Sequence, residues 1–177
     1  MDQAACSLPV TPLSPHTGAE IRGLDLRAPV DAATRAALNR AFDDHAVLAI
    51  RDQTLSAPEF LQAMQIFGEI FPQHNSRFQV PECPAVHYIS NQDKLEDGKV
   101  YIPGEGYHTD HSNDAAPPKA TALHAVKLPN SGGGTHFVNM CEAHDALPVA
   151  TKRKNGDYPV EQVRYLYRLM LKGERPA

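Results

Sequence analysis

A histidine and an aspartate two positions apart, His108 and Asp110, are the residues of this sequence best suited to chemistry. They lie in the segment GYHTDHSND at residues 106–114. In an extended chain their side chains point to the same face and can converge, while Thr109 and His111 point away. A neutral imidazole and a carboxylate are two of the three ligands of the facial triad of non-heme Fe(II) oxygenases. The pair alone is weak evidence, because a solvated polar loop produces the same pattern by chance.

Three longer segments give this pair its context. The first segment starts at Val10 and reads VTPLSPHTGAEIRGLDL. The second starts at His45 and reads HAVLAIRDQTLSAPEFLQAMQIFGEI. The third starts at Tyr107 and reads YHTDHSNDAAPPKATALHAVKLPNSGGGTHFVNMCEAHDALP. In this order and spacing, up to Pro148, they resemble the taurine dioxygenase/TfdA family of Fe(II)/2-oxoglutarate dioxygenases. The resemblance implies hydroxylation of a small organic acid, of the sulfonate or aryloxy-acid type, with 2-oxoglutarate (alpha-ketoglutarate) and O2 converted to succinate and CO2.

The resemblance also implies roles for single residues. His108 and Asp110 would be iron ligands and catalytic, and Thr135, after the glycine turn, would contact the carboxylate of 2-oxoglutarate. A threonine hydroxyl beside a flexible glycine turn can donate to a carboxylate oxygen. An ordinary strand threonine is the alternative, and Gly134 stands where the family usually has an acidic residue.

Two further residues are candidate substrate contacts by the same resemblance. His74 follows the second predicted helix, but its match is displaced by one position, which favours a surface histidine. Tyr107 takes the place of a common family aromatic and would either line the substrate pocket or pack in the core. Asn91 and the loop after it are a candidate lid, or simply a solvated loop.

The family's third iron ligand, a histidine, and its 2-oxoglutarate-binding arginine have no counterpart in this sequence. No histidine follows His144. Three other histidines are poor substitutes, because of their predicted faces or elements: His124, His136 and His144. Arg164 and Arg168 are predicted on a solvated helix face.

We therefore expect a C-terminally truncated family member, and three hypotheses about its function stay open. It is an active dioxygenase, a catalytically silent homologue that serves as a binding or interaction module, or an enzyme completed by another chain.

Composition sets wider limits. The 177 residues carry a formal net charge of −4, which gives no electrostatic case for nucleic acid, and no apolar run is long enough to cross a membrane. Three separated cysteines outside any CxxC spacing fit a reducing cytoplasm. Seven Lys/Arg and three Asp/Glu in residues 151–177 make the tail basic. The predicted division is a dioxygenase domain at 1–150 and a divergent tail at 151–177. The amphipathic helix of the tail would either cover apolar surface that the truncation exposes or mediate a homo-oligomer.

The predicted elements give an α+β class, and the resemblance implies a double-stranded β-helix (jelly-roll, cupin-like) with flanking helices, incomplete in its C-terminal half. Helices are predicted from a cap at Asp31 to about residue 45, from a Ser56–Glu59 capping box to Gly68, around His144, and at 159–172. Apolar alternation or short apolar runs predict strands at 19–26, 46–50, 85–90, 119–128 and 135–140.

Overall fold

The structure of the chain is a computed structural model that describes residues 8–71, 76–100, 106–111, 114 and 116–156. The chain forms two compact units. The first contains Met1–Tyr101 and Pro118–His136, and the second contains Ile102–Pro117 and Phe137–Ala177. The predicted helix at 159–172 lies outside the described residues.

A three-stranded sheet is the centre of the first unit. Strand β2 (Ala19–Ile21) pairs antiparallel with β1 (Val10–Pro12) and parallel with β3 (Leu48–Ile50). A parallel pair needs a crossover between its strands, and helix α1 (Ala32–His45) supplies it. The strand predicted at 19–26 is confirmed only as far as Ile21. Gly23, with a φ of +74°, turns the chain away from the sheet.

Helix α1 forms as the sequence predicts. The Asp31 carboxylate accepts a hydrogen bond of 2.7 Å from the Thr34 amide, and this bond lowers the pKa of Asp31. Leu38 and Ala41 are the buried residues of the helix. After His45, Ala46 adopts a left-handed φ of 60°, and its amide donates to the Phe42 carbonyl, so the predicted strand at 46–50 begins only at Leu48.

Helix α2 (Ala57–Met64) begins at the predicted capping box. The Glu59 carboxylate accepts from the Ser56 amide at 2.8 Å, and the Ser56 hydroxyl accepts from the Glu59 amide. The hydrogen bond from the Ser56 hydroxyl is the main cause of a lowered Glu59 pKa. The helix ends at Met64, four residues before the predicted stop at Gly68.

Two side chains of α1 bind the carbonyls that follow α2. Arg35 donates to the Gln65 carbonyl at 2.7 Å and to the Ile66 carbonyl at 3.1 Å. Asn39 donates to the same Ile66 carbonyl at 3.0 Å. Since the last carbonyls of a helix have no partner within it, these bonds both satisfy the end of α2 and fix it to α1.

A second, two-stranded sheet follows a short 3-10 helix (Ser76–Phe78). Strands β4 (Gln79–Val80) and β5 (Cys83–His87) pair antiparallel. The strand predicted at 85–90 therefore exists but begins and ends earlier in the chain. In the following loop, Lys94 and Val100 form a single antiparallel bridge, and Arg77 donates to the Lys94 carbonyl at 3.1 Å.

The strands predicted at 119–128 and 135–140 are wrong. The described residues 116–139 contain no strand, and the chain next enters helices α3 (Met140–Asp145) and α4 (Val149–Gly156). Alternating apolar residues become a strand only when a neighbouring strand accepts their backbone hydrogen bonds, and no described segment pairs with these two. The helix predicted around His144 is confirmed as α3.

Among the residues that the structure describes, buried side chains are confined to the first part of the chain. Ile21 and Leu38 are the largest fully buried side chains, and every other buried hydrophobic residue described lies at or before Cys83. No helix in the described ranges has the length and apolar character needed to span a membrane. The small sheets and helices agree with the α+β class, and the double-stranded β-helix stays a prediction.

Candidate metal centre

His108 and Asp110 lie in a loop of the second unit, between two residues with left-handed backbones. Gly106 has a φ of +83° and His111 a φ of +51°. Residues 108 and 109 belong to no helix or strand, and Asp110 and His111 form a turn. The extended conformation that the sequence predicted for this segment is therefore replaced by a bend at each end.

The two side chains nevertheless converge. His108 Nε2 lies 3.2 Å from Asp110 Oδ1, and the side chains are 54% and 41% exposed. They converge in a segment that turns at Asp110 and His111 rather than in a strand. The two donor atoms predicted from the sequence thus meet at one accessible point.

A backbone carbonyl fixes the tautomer of His108. His108 Nδ1 lies 3.0 Å from the Gly106 carbonyl oxygen. Because a carbonyl can only accept, Nδ1 must carry the proton that forms this bond, and the neutral ring then presents a lone pair at Nε2. That lone pair faces an oxygen of Asp110, so the two atoms can bind one metal ion together.

The geometry of this pair fits a metal ion. Imidazole nitrogen and carboxylate oxygen bind transition metals at about 2.0–2.2 Å, so two donors on adjacent coordination positions lie about 3 Å apart. The observed 3.2 Å between His108 Nε2 and Asp110 Oδ1 agrees with that value. The hydrogen bond at Nδ1 is the outer contact that metal-binding histidines usually make.

A third donor does not join this pair among the described residues, where no group of three His, Cys, Asp or Glu side chains is arranged to hold a metal. His144 pairs instead with Asp145, at 3.3 Å between Nδ1 and Oδ1. His124 stacks on Phe60, with ring centroids 5.7 Å apart, and its Nε2 lies 3.4 Å from the Gln53 carbonyl. Its ring therefore has partners in the first unit, although it is only partly buried and lies in no strand.

Thr135 follows a tight glycine turn in the first unit. Gly132 and Gly133 have left-handed φ values of +72° and +70°, and a Cβ on Gly133 would lie 2.8 Å from Pro129 Cγ. Both conditions require glycine at position 133. Thr135 itself is exposed and, contrary to the prediction, does not begin a strand, because residues 119–139 pair with no described segment. Its role toward 2-oxoglutarate stays a prediction.

Tyr107 and His74 are the two candidate substrate contacts. Tyr107 is 50% exposed beside His108, so it does not pack in a core. It remains a candidate for the wall of a substrate pocket. His74 lies outside the described residues.

A second His–Asp pair lies next to the first and was not predicted. His111 Nδ1 is 3.1 Å from Asp114 Oδ2, and the Asp114 amide donates to the His111 carbonyl at 3.0 Å. These side chains are only 26% and 33% exposed. Alternation in an extended chain had placed His111 away from the metal. The sequence signal for this pair is a histidine placed three residues before an aspartate, since histidine is among the residue types that tolerate a left-handed backbone.

Comparison with known proteins identifies a family. The family model described as "Taurine catabolism dioxygenase TauD, TfdA family" matches residues 9–168. An alpha-ketoglutarate-dependent sulfate ester dioxygenase of Pseudomonas putida is 32% identical, with 81% of this chain and 46% of that protein covered. An alpha-ketoglutarate-dependent 2,4-dichlorophenoxyacetate dioxygenase of Cupriavidus pinatubonensis is 29% identical, with 80% and 53% covered.

A solved structure gives the same relationship. The crystal structure of a taurine dioxygenase from Burkholderia xenovorans matches with a TM-score of 0.71 and 29% identity, covering 85% of this chain and 51% of that one. The chain spans about half the length of the relatives it matches.

Proposed function

We propose, because the chain belongs to the taurine catabolism dioxygenase TauD, TfdA family, that it acts as an Fe(II)- and 2-oxoglutarate-dependent dioxygenase on a small organic anion. The observation that carries the proposal is the approach of His108 Nε2 to Asp110 Oδ1 at 3.2 Å, with the Nδ1 proton held by the Gly106 carbonyl. This arrangement presents two metal donors on one side and leaves the other coordination positions open.

In this proposal, each residue has a separate task. His108 and Asp110 hold the iron, and the Thr135 hydroxyl donates to a carboxylate of 2-oxoglutarate. Bound iron supplies the activation of O2 by which 2-oxoglutarate is converted to succinate and CO2 and the substrate is hydroxylated. Tyr107, half exposed next to His108, borders the space for the substrate, and His74 is the second candidate there.

The substrate is proposed to be a small sulfonate, sulfate ester or aryloxy acid. The names of the relatives include a sulfate ester dioxygenase and a 2,4-dichlorophenoxyacetate dioxygenase, which act on organic anions. We also propose for residues 1–150 the N-terminal portion of the family's double-stranded β-helix, with flanking helices and an incomplete C-terminal half. A divergent basic tail at 151–177, a cytoplasmic location and a homo-oligomer complete the proposal. A monomer in light scattering would contradict the last of these.

A second candidate function is metal binding without turnover. It is favoured by the described residues, among which no third donor joins His108 and Asp110. With two protein ligands instead of three, metal affinity falls and the metal is held less rigidly. In that case the chain would serve as a binding or interaction module.

Turnover separates the two candidates. Purified chain is supplied with Fe(II), ascorbate, 2-oxoglutarate and O2, and succinate is measured with and without an alkyl sulfate, an alkanesulfonate or an aryloxyacetate. The dioxygenase proposal predicts succinate that depends on 2-oxoglutarate, rises with one of the anions, and is lost in Asp110→Ala. Metal binding without succinate would favour the second candidate.

The matched control for Asp110→Ala is Asp145→Ala. Asp145 also contacts a histidine and is 78% exposed, but it belongs to helix α3 and to no proposed site. Succinate formation at the wild-type rate is expected for this control. Equal loss in both variants would show that the assay reports general damage to the protein.

A further inference from the structure

We propose that the His111–Asp114 pair positions Asp110 for the metal, an inference that rests on the proposed function. His111 follows Asp110 directly in the chain and holds a left-handed φ of +51°. One planar peptide bond joins Asp110 to His111, so a His111 that is held in place also holds the C-terminal side of the Asp110 backbone. Whatever fixes His111 therefore limits the orientations open to the Asp110 carboxylate.

Two hydrogen bonds close the same turn. The Asp114 amide donates to the His111 carbonyl at 3.0 Å, and His111 Nδ1 lies 3.1 Å from Asp114 Oδ2. One bond joins backbone to backbone and the other joins side chain to side chain across residues 111–114. A left-handed backbone at a residue other than glycine persists only where its surroundings fix it, and these bonds supply that restraint.

The two metal donors are thus restrained from opposite ends of the loop. His108 is oriented by its own Nδ1 bond to the Gly106 carbonyl. Asp110 receives its restraint through the next residue, because His111 is held by Asp114. The His111–Asp114 pair touches no metal in this account, and His111 and Asp114 are positioning residues.

Exposure separates this pair from an ordinary surface contact. The His111 and Asp114 side chains are 26% and 33% exposed, whereas those of His144 and Asp145, a pair of the same types, are 56% and 78% exposed. A less exposed hydrogen bond competes less with water and restrains its partners more. The His144–Asp145 pair is therefore the matched control.

The test is the affinity of the whole chain for Mn(II), measured from the electron paramagnetic resonance signal of free Mn(II). Changes to outer contacts of metal ligands typically cost about 10- to 100-fold in affinity. We expect His111→Ala and Asp114→Ala each to raise the Kd for Mn(II) roughly tenfold, at the low end of that range. His144→Ala is expected to leave it unchanged.

Asp114→Asn distinguishes positioning from charge. The asparagine oxygen still accepts from His111 Nδ1 but carries no charge, so the proposal predicts an affinity near that of the wild type. If Asp114→Asn weakens binding as much as Asp114→Ala, Asp114 acts through its charge or as a ligand, and the proposal is wrong. Wild-type affinity in both His111→Ala and Asp114→Ala would also overturn it.

Two further measurements keep the outcomes separate. Thermal unfolding of each variant, followed by circular dichroism, is expected to match the wild type, because the pair lies in a loop outside the core. Asp110→Ala is titrated alongside. If the wild type does not bind Mn(II), the proposed function is contradicted. If Asp110→Ala loses Mn(II) binding while His111→Ala and Asp114→Ala keep the wild-type affinity, only the positioning role is contradicted.

Discussion

Residues 8–87 and residues 88–156 of the same chain differ in what their hydrophobic side chains do. In the first region Ile21 and Leu38 are completely buried, and all buried hydrophobic residues described fall within it. In the second region no described residue is buried, and large hydrophobic side chains such as Leu123, Val126 and Leu128 are 64%, 86% and 72% exposed. The candidate metal pair lies in the second region, so the proposed chemistry belongs to the part of the chain whose described residues include no buried side chain.

The difference follows from how far apart in the sequence the interacting residues of each region lie. The first region closes through a crossover of β2, α1 and β3, whose caps and apolar faces are encoded within a few residues. The second region carries alternating apolar residues that require a distant strand as partner. We infer that folding stability resides in the first region and that His108 and His111 are held by local hydrogen bonds.

The largest expected effect is on core packing, tested by the same substitution in both regions. Leu38→Ala removes a side chain with no exposure and is expected to lower the free energy of unfolding by about 2–5 kcal/mol. Leu123→Ala, at a side chain 64% exposed, is expected to change it by less than about 0.5 kcal/mol. Urea unfolding measures the free energy of unfolding of both variants. Equal decreases for Leu38→Ala and Leu123→Ala would mean that residues 119–128 are packed in a core.

A smaller effect is expected at a hydrogen-bonded serine of each region. Ser56→Ala removes the cap of α2 and should cost about 1 kcal/mol of unfolding free energy. Ser90→Ala removes a hydroxyl that accepts from the Gln92 amide at 2.9 Å in an exposed loop, where water can replace it, so the change should stay within about 0.5 kcal/mol. A larger loss for Ser90→Ala in urea unfolding would contradict the comparison.

The smallest effect concerns two exposed ion pairs of equal spacing. Arg27 lowers the pKa of Asp25 to about 2, chiefly through its side-chain hydrogen bonds, and Lys99 lowers the pKa of Asp97 in the same way. A carboxyl group with a lowered pKa stabilises the fold above its unfolded value of 3.8, and this contribution is lost as the pH falls toward the folded value.

Unfolding of Asp25→Asn and Asp97→Asn is therefore compared with that of the wild type at pH 5 and pH 2. Asp25→Asn should show a smaller acid-induced loss of stability than the wild type, and high salt should reduce the difference, because both pairs are exposed. The effect should be weaker for Asp97→Asn, since a lysine cannot form the two-pronged contact that Arg27 makes. An acid-induced loss in Asp25→Asn equal to that of the wild type would refute the contribution.

The sequence predicted the elements that depend on neighbours in the chain. The cap at Asp31, the capping box at Ser56 and the helix around His144 are all local, and all form. The strands predicted at 119–128 and 135–140 do not, because a strand is defined by its partner and alternation contains no information about that partner.

The candidate site shows the same limit. Spacing predicted that His108 and Asp110 would converge, and they do, but through a turn that the assumption of an extended chain did not include. That assumption also removed His111 from consideration, although its left-handed backbone brings it to Asp114. Thr135 belongs to the other unit, so its relation to the metal pair depends on long-range packing that no local pattern encodes.

The most direct test of the metal site is an anaerobic titration of the purified chain with Fe(II) and 2-oxoglutarate. Chelation of iron by 2-oxoglutarate at the site produces a visible metal-to-ligand charge-transfer band. We predict that the band appears in the wild type and in Asp145→Ala and is absent in Asp110→Ala. No band in the wild type at millimolar iron, or an unchanged band in Asp110→Ala, would contradict iron binding by His108 and Asp110.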